Sequence, residues 1–300
     1  MMDRDTATRE QTEFTGAQGN RLVADMWLPV AGQDRMRAPL LFLHGGGQTR
    51  HAWGRTAQDM ARKGAVTISL DQRGHGDSEW VADWGYSFRH YGEDALAVGR
   101  QAKERFGVAP IAIGASLGGI ASMLAEGEGG PGFWSALVLV DITPKMDPAG
   151  VDRIQSFMGA DLERGFTSIE AAAEAVAAYL PHRPRPRSLE GLRKNLRQGA
   201  DGRYRWHWDP RFLVGPCSVN TDRDQAEAEM TAAIRNTPIP VLLVRGGSSE
   251  LISPEHAEAF VELVPHAQTV DVGGAGHMVA GDRNDIFSAA IGEFLEKTTG

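Results

Sequence analysis

The sequence has little of several things that mark specialised classes of protein. It contains one cysteine, Cys217, so it cannot form an internal disulfide, which is typical of proteins kept in a reducing cytoplasm. It also has no excess of positive charge, because 31 Lys and Arg residues against 39 Asp and Glu residues give a net charge of −8. A general nucleic-acid binder needs a positive field along the phosphate backbone, so we predict no nucleic-acid partner.

Long apolar runs are missing as well. The longest, Phe133 to Val140 (FWSALVLV), is far shorter than the ~20 residues needed to cross a bilayer. The first residues, MMDRDTATREQT, carry charges of both signs and lack the apolar centre of a secretory signal. We therefore expect no membrane partner and a cytoplasmic location.

Motifs that would hold a metal or a nucleotide cofactor are not found. The sequence has no H-E-x-x-H, no paired cysteines and no tight cluster of His and Asp. No G-x-G-x-x-G follows the first parallel-type strand, no Walker lysine pattern occurs, and Gly274-Ala275-Gly276 is followed by Val279 where a third glycine belongs. We expect neither a metal nor a cofactor.

The sequence does contain short apolar runs that alternate with amphipathic stretches, a pattern typical of parallel strands joined by crossover helices. Before them, Glu13–Gly16 and Arg21–Leu28 flank a turn-prone segment and predict an antiparallel hairpin. The predicted strands are Leu40–His44, Ala65–Asp71, Pro110–Ser116, Ala136–Ile142, Pro240–Gly246 and Gln268–Gly273. The predicted helices are Arg55–Lys63, Tyr91–Phe106, Leu117–Glu126, Pro254–Val264 and Asn284–Lys297.

The alternation is interrupted once. Residues 143–238 contain no clear buried strand but several helical patterns, such as Ile169–Leu180 and Leu189–Gln198. We interpret this segment as a helical cap over the carboxyl ends of the sheet, where open α/β sheets bind ligands. The predicted organisation is a core of residues 1–142 and 239–300 with the cap inserted at 143–238.

A nucleophile motif lies between a predicted strand and a predicted helix. The segment Gly114-Ala115-Ser116-Leu117-Gly118-Gly119 contains G-x-S-x-G in the strand–turn–helix context that this motif requires. The glycines on either side avoid Cβ clashes in a sharp turn, so that the serine Oγ projects outward. The alternative is a glycine-rich turn with an incidental serine. We predict Ser116 as the nucleophile.

A second glycine-rich turn, His44-Gly45-Gly46-Gly47, ends an earlier strand. Its glycines would let a backbone N–H face a developing oxyanion without obstruction by a side chain. We predict that Gly46, or alternatively Gly45, forms a two-donor oxyanion hole with the N–H of Leu117. Taken alone, such a turn also has purely geometric uses.

A serine hydroxyl needs a general base, and His277 is the best candidate among nine histidines. It lies in Gly274-Ala275-Gly276-His277-Met278, after the last predicted strand and after the nucleophile in the chain. The other histidines occur in turn motifs or in helical and surface contexts, where a structural role is the better interpretation.

A further segment is similar to a D-x-R-G-x-G-x-S turn: Asp71-Gln72-Arg73-Gly74-His75-Gly76-Asp77-Ser78. Together with the motifs above, it makes nearly the whole chain resemble the α/β-hydrolase superfamily. The resemblance implies a mostly parallel eight-stranded sheet with helices on both faces and an inserted cap. It also implies hydrolysis through an acyl-enzyme without a cofactor. Members with an aspartate at the nucleophile position form alkyl-enzyme esters, whereas Ser116 indicates acyl chemistry.

Two carboxylates stand at strand ends where a third triad member is expected. Asp141 ends one strand within Val140-Asp141-Ile142-Thr143-Pro144, and Glu250 follows another, where most of the superfamily carries its acid. The pair of segments is similar to a smaller branch typified by 2-(acetamidomethylene)succinate hydrolase, whose acid follows the sixth strand. We favour Asp141, because the extra methylene of a glutamate makes a rigid imidazole contact less certain, and both alternatives stay open.

The predicted function is hydrolysis of a small carboxylic ester or related acyl bond of a small-molecule substrate. Alternatives are a C–C or amide hydrolase acting on a carboxylate-bearing substrate, or a hydrolase-like receptor for a small molecule. Residues 181–211 carry nine basic and three acidic side chains, a charge of +6 that could steer an anionic substrate or simply form a solvated face. Trp206 and Trp208 in this segment, and Trp53 opposite, are the predicted substrate-binding residues. The sequence predicts no oligomeric state.

Overall fold

The computed structural model describes residues 7–30, 36–83, 85–181, 183, 185, 188–221 and 223–299. An eight-stranded sheet forms its centre, with strands β1 (Thr8–Thr15), β2 (Arg21–Leu28), β3 (Leu40–Leu43), β4 (Thr67–Leu70), β5 (Ile111–Ala115), β6 (Ala136–Val140), β9 (Val241–Gly246) and β10 (Gln268–Val272). Their order across the sheet is β1-β2-β4-β3-β5-β6-β9-β10. Strands β1, β2 and β4 pair antiparallel and the other neighbours pair parallel, so the predicted mostly parallel sheet is confirmed.

The predicted opening hairpin is present, with β1 beginning at Thr8 rather than Glu13. Gly19 lies in the connecting turn with φ 78°, a backbone conformation that glycine adopts without a Cβ penalty. Strand β1 is mostly exposed, whereas β3, β4, β6 and β9 are buried along their whole length. Burial on both faces explains why the central strands read as continuous apolar runs.

Helices cover both faces of the sheet: α1 (Gly54–Arg62), α2 (Phe88–Phe106), α3 (Leu117–Gly129), α8 (Pro254–Leu263), α9 (Val279–Asp282) and α10 (Asn284–Thr299). Side chains alternate across each strand. In β3, Leu41 and Leu43 join the core beneath α2 and α3, while Leu40 and Phe42 join the core beneath α1 and α10.

The segment between β6 and β9 contains α4 (Pro148–Gly159), α5 (Ile169–Tyr179), α6 (Glu190–Arg193), β7 (Leu196–Gln198), β8 (Tyr204–Trp206) and α7 (Arg223–Arg235). The predicted helix Leu189–Gln198 is wrong beyond Arg193, because Leu196–Gln198 pairs antiparallel with Tyr204–Trp206. Gly202 turns the chain between these strands with φ 77°, and the Gly199 N–H donates to the Arg203 carbonyl. A turn of this kind favours a hairpin over helix continuation.

Helix α7 packs on the core helix α3. A Cβ atom at Gly127 of α3 would lie 2.6 Å from the Cβ of Ala233, and Met230 and Ile234 are buried in the main core. The first part of the insertion has a small core of its own around Phe166, Ala172 and Leu196. The predicted domain boundaries at 143 and 238 stay a prediction. Helix α7 lies between these boundaries in sequence but packs on the main core.

No described helix combines the length and the apolar character needed to span a membrane. No group of three or more described His, Cys, Asp or Glu side chains is arranged to hold a metal ion.

Candidate active site

Ser116 lies in the sharp turn between β5 and α3, with φ 47° and ψ −115°. This conformation is strained for a residue with a side chain. A Cβ atom at Gly114 would overlap the backbone of Gly118, and a Cβ atom at Gly118 would overlap the Leu43 carbonyl. The positions two residues before and two residues after Ser116 therefore need glycine, as the sequence predicted.

The backbone around Ser116 leaves one N–H available. The Ser116 N–H donates to the Val140 carbonyl at 3.2 Å, which ties the turn to the end of β6. The Ser116 carbonyl accepts from the N–H groups of Gly119 and Ile120. Within the described residues the N–H of Leu117, the first residue of α3, has no acceptor, which is expected in the first turn of a helix. It is free to bind an anionic group.

The loop after β3 runs beside Ser116, since a Cβ atom at Gly45 would lie 3.5 Å from the Ser116 Cβ. The Gly45 N–H donates to Gln48 Oε1 at 3.1 Å, and the Gly47 N–H donates to His75 Nε2 at 3.1 Å. Among the acceptors that the structure describes, none takes the Gly46 N–H. Of the two predicted oxyanion donors in this loop, Gly46 is therefore the one whose N–H is available.

Two buried histidines hold this loop in place. His44 donates from Nδ1 to the Gly45 carbonyl at 2.8 Å and accepts the Gln72 N–H at Nε2. His75 donates from Nδ1 to the Arg73 carbonyl and accepts the Gly47 N–H at Nε2. Burial lowers the pKa of His44 to about 4, and burial together with the neighbouring His44 lowers the pKa of His75 to about 3. Both rings are neutral at pH 7, as their acceptor roles require.

Asp141 follows β6 directly and its side chain is fully buried. Its Oδ1 accepts the Gly246 N–H at 2.8 Å, and its Oδ2 accepts from Ser249 Oγ at 2.5 Å and from His277 Nδ1 at 2.7 Å. The His277 side chain is 17% exposed. Because Nδ1 of His277 carries the proton in this contact, Nε2 is the nitrogen left to accept one.

Ser116 and His277 are not joined by a hydrogen bond in the part of the chain that the structure describes. Catalytic hydrogen bonds of this type are often long in a free enzyme and shorten when substrate binds.

The side chain of Glu250, the alternative candidate for the acid, contacts the segment between β6 and β9. Tyr179 Oη donates to its Oε1 at 2.6 Å, and Arg153 Nε lies 3.2 Å from its Oε2. Burial and the bond to Glu250 raise the pKa of Tyr179 well above its usual value. Of the two carboxylates, Asp141 contacts His277 and Glu250 links the turn after β9 to α4 and α5.

The three predicted substrate-binding tryptophans lie in different places. Trp53 is 1% exposed and packs between Phe42 and Phe287 in the core beneath α1 and α10, so it does not line the site. Trp208 is also buried, with its ring stacked on His75 at 6.4 Å behind the glycine loop. Trp206 is half-buried among cap aromatic residues, and its ring lies 6.0 Å from that of Phe157.

The side chains of the segment between β6 and β9 that lie nearest Gly46 and Gly47 are apolar. A Cβ atom at Gly46 would lie 2.9 Å from Phe212 Cζ, and one at Gly47 would lie 2.8 Å from Met158 Cε. Neither Met158 nor Phe212 was among the predicted site residues, because only the folded chain brings the segment between β6 and β9 next to this loop. They add an apolar wall to the site.

Most described basic side chains of residues 181–211 already have partners. Arg183 pairs with Asp282, Arg185 with Glu174, Arg205 with Asp201 and Arg211 with Asp209, and Arg203 donates to backbone carbonyls. Arg193, Lys194 and Arg197 are exposed and have no acidic partner in the described part of the chain. Arg187 lies outside the described residues. Asp201 and Asp209 are already counted in the charge of +6, so only the pairs with Asp282 and Glu174 lower it, to +4.

The Asp71–Ser78 turn is held by buried polar contacts. The Asp71 carboxylate accepts from the backbone N–H and guanidinium of Arg50 and from the Asp77 N–H at 2.9 Å. Arg73 forms a two-point contact with Asp94, with both distances 2.7 Å. These contacts are consistent with an architectural turn, although it also carries His75, whose contact with Gly47 the sequence did not predict.

The chain is similar in sequence and in structure to known proteins. The sequence profile of the alpha/beta hydrolase fold matches residues 38–283. The chain is 28% identical over 250 residues to Esterase Rv0045c of Mycobacterium tuberculosis, covering 81% of this chain and 78% of that protein. It is 29% identical over 234 residues to 2-(acetamidomethylene)succinate hydrolase of Mesorhizobium japonicum, covering 77% and 78%. A crystal structure of E-2-(acetamidomethylene)succinate hydrolase superposes with a TM-score of 0.79 at 23% identity, covering 96% of this chain and all of that one.

Proposed function

Because this chain belongs to the α/β-hydrolase fold family, we propose that it is a serine hydrolase that cleaves a small, uncharged carboxylic ester. The observation that carries the proposal is the 2.7 Å contact between His277 Nδ1 and the buried Asp141 carboxylate. It leaves Nε2 of His277 as the ring nitrogen that can accept a proton, at the sheet edge that also carries Ser116.

In the first step, Ser116 Oγ attacks the ester carbonyl carbon and His277 Nε2 takes the hydroxyl proton. The N–H groups of Gly46 and Leu117 stabilise the negative oxygen of the tetrahedral intermediate, and Asp141 stabilises the imidazolium. The intermediate then collapses, the C–O bond to the alcohol breaks, and His277 gives its proton to the departing alkoxide. An acyl-enzyme ester on Ser116 remains.

In the second step, water attacks the acyl-enzyme carbonyl while His277 Nε2 takes a proton from it. The second tetrahedral intermediate uses the same two N–H donors. Collapse breaks the bond to Ser116 Oγ, which recovers its proton from His277, and the carboxylic acid product leaves. No cofactor is needed for either step.

The surroundings of the glycine loop favour an uncharged substrate. Met158 and Phe212 face the loop, and an apolar wall stabilises an apolar acyl group by excluding water from it. Arg153 and Arg211, which extend from the cap, already pair with Glu250 and Asp209. A C–C or amide hydrolase for a carboxylate-bearing substrate would need a cation left available at the site. The similarity to an esterase of Mycobacterium tuberculosis supports the ester assignment.

The test is a comparison of purified wild-type protein with Ser116→Ala on p-nitrophenyl esters of increasing acyl length. We expect wild type to turn over repeatedly and Ser116→Ala to lose about 10³-fold or more in kcat. A fluorophosphonate should label wild type on Ser116 and leave the alanine variant unlabelled. Equal labelling of both proteins would overturn the nucleophile assignment.

The same assay separates an enzyme from a hydrolase-like receptor. A receptor that keeps these residues should release at most one equivalent of p-nitrophenol, whereas an enzyme should show a burst followed by steady release. Absence of steady release with every ester, lactone and amide tested would favour the receptor.

A further inference from the structure

We propose that Ser249 is a positioning residue that fixes the Asp141 carboxylate for its contact with His277. The inference rests on the proposed function, because it assigns Ser249 a part in the same charge-stabilising group. Ser249 lies in the turn after β9, at a position that the sequence did not single out, and its Oγ is 2.5 Å from Asp141 Oδ2.

The direction of this hydrogen bond follows from the other contacts of the hydroxyl. Ser249 Oγ accepts the N–H of Leu251 at 3.0 Å and the N–H of Ile252 at 3.1 Å. A hydroxyl has one proton and two acceptor sites, so both of its acceptor sites are occupied by backbone donors. The single hydroxyl proton is therefore directed at Asp141, and the backbone of the turn prevents the hydroxyl from rotating away.

Asp141 Oδ2 accepts two hydrogen bonds, from side chains in two different loops. His277 donates from the loop after β10, and Ser249 donates from the turn after β9. Oδ1 is held separately by the Gly246 N–H at 2.8 Å. Hydrogen bonds from the end of β9 and from the turn after it thus fix both oxygens of the carboxylate. A carboxylate fixed at Oδ1 alone could rotate its Oδ2 away from the imidazole.

The hydroxyl also changes how strongly Asp141 attracts the imidazolium. A donor on the oxygen that faces His277 withdraws part of the negative charge from that contact. Removing it should make the charged imidazolium easier to form while making its position less defined. The two effects have different signatures, a change in pH profile and a loss of kcat.

The adjacent residue supplies a matched control. Ser248 has the same side chain one position earlier, is exposed, and makes no side-chain hydrogen bond to any described residue. A substitution there changes the composition of the turn in the same way without touching Asp141.

The experiment compares Ser249→Ala, Ser249→Thr, Ser249→Val and Ser248→Ala with wild type. Thr and Val have nearly the same shape and differ in the hydroxyl. We expect Ser249→Ala and Ser249→Val to lose about 10- to 100-fold in kcat with KM changed less than about threefold, as for loss of a hydrogen bond to a charged group. Ser249→Thr and Ser248→Ala should stay within about threefold of wild type. The acid-side midpoint of the pH profile should move upward in Ala and Val only.

A proton NMR measurement tests the contact without turnover. Wild type should give a downfield imidazole N–H signal that disappears in Asp141→Asn, and Ser249→Val should shift or broaden this signal while Ser249→Thr leaves it unchanged. Equal kcat and an equal signal in the Thr and Val variants would overturn the role of Ser249. If wild type shows the NMR signal but neither turns over esters nor reacts with a fluorophosphonate, the proposed function fails while the positioning role stands on the NMR result.

Discussion

Ser116 and Asp141, each the first residue after one of two neighbouring parallel strands, share a positive φ, 47° and 51° respectively. Among the described residues other than glycine, no other has a positive φ. Such a conformation costs about 1–3 kcal/mol and persists where the surrounding structure imposes it. The two strained positions coincide with the proposed nucleophile and the proposed acid.

Replacing each carboxylate by its amide should identify the acid. Asp141→Asn should lower kcat by about 10³- to 10⁴-fold, because an amide in contact with Nδ1 favours the wrong tautomer of His277. Asparagine tolerates a positive φ, so this variant should keep its fold. Glu250→Gln should change kcat by less than about tenfold. Steady-state kinetics checks both, with circular dichroism to verify folding, and a large loss in Glu250→Gln alone would restore the alternative assignment.

The contact between Tyr179 and Glu250 should stabilise the cap on the core. Tyr179→Phe and Glu250→Gln should each lower the free energy of unfolding by about 1 kcal/mol, a modest value because the carboxylate is 23% exposed. The double variant should cost less than the sum of the two, since Tyr179→Phe removes the hydrogen bond that Glu250→Gln weakens. Urea denaturation provides the measurement, and strict additivity would show that the bond contributes nothing.

Acid should destabilise the fold through His44 and His75. Their pKa values of about 4 and about 3 lie below the unfolded value of 6.5, so between these limits the unfolded chain binds more protons than the folded chain. Stability is complete above pH 6.5 and falls as pH decreases toward 4, by about 2 kcal/mol for each histidine between pH 8 and 5. Urea unfolding at several pH values should show this fall. His75→Gln, which keeps an acceptor for the Gly47 N–H, should have a smaller fall than wild type, and an unchanged one would contradict the explanation.

Trp53 should affect stability and leave catalysis unchanged. It is buried between Phe42 and Phe287, so Trp53→Ala should cost about 3–5 kcal/mol of unfolding free energy. The indole N–H has no partner in the described structure, so Trp53→Phe should cost much less. For the folded Trp53→Phe variant we expect kcat/KM within about twofold of wild type. A large rise in KM in this variant would indicate that Trp53 contacts the substrate.

Ionic strength should not distinguish anionic from neutral esters. Four described arginines of residues 181–211 pair with acidic side chains, and the unpaired Arg193, Lys194 and Arg197 are exposed, where water and salt screen their field. We expect kcat/KM for an ester with a distal carboxylate and for its neutral analogue to respond equally to added salt. A steeper decline for the anionic ester would indicate steering by Arg193, Lys194 and Arg197.

The sequence predicts those parts of the proposed site that depend on local backbone chemistry. Ser116 and the glycine loop were predictable because a sharp turn admits few residue types, and these constraints appear as spacing. The sequence favoured Asp141 over Glu250 and left both open, since both follow strands at the same sheet edge. Which of them meets His277 depends on side-chain directions that only the packed turn after β9 determines.

Other predictions failed because the contacts that decide them join residues far apart in the chain or in different layers of the fold. Trp53 follows the glycine loop closely in sequence, yet the short 3-10 turn Arg50–Trp53 directs it into the opposite layer of the core. Leu196–Gln198 has a helical pattern but pairs with a strand that lies six or more residues further along the chain. Ser249 looked like an ordinary turn serine, because its partner is 108 residues away.

The packing of α7 on α3 has a consequence for how caps could be exchanged among related enzymes. Gly127 leaves no room for a Cβ atom because Ala233 occupies that space, so the two helices are fitted to each other. A chimaera that imported a foreign α7 with its cap would expose or overfill this contact. Splice points close to Asp147 and just before Arg223 would instead leave the interface between α3 and α7 intact. The segment that can be exchanged is therefore shorter than the whole stretch of chain between β6 and β9.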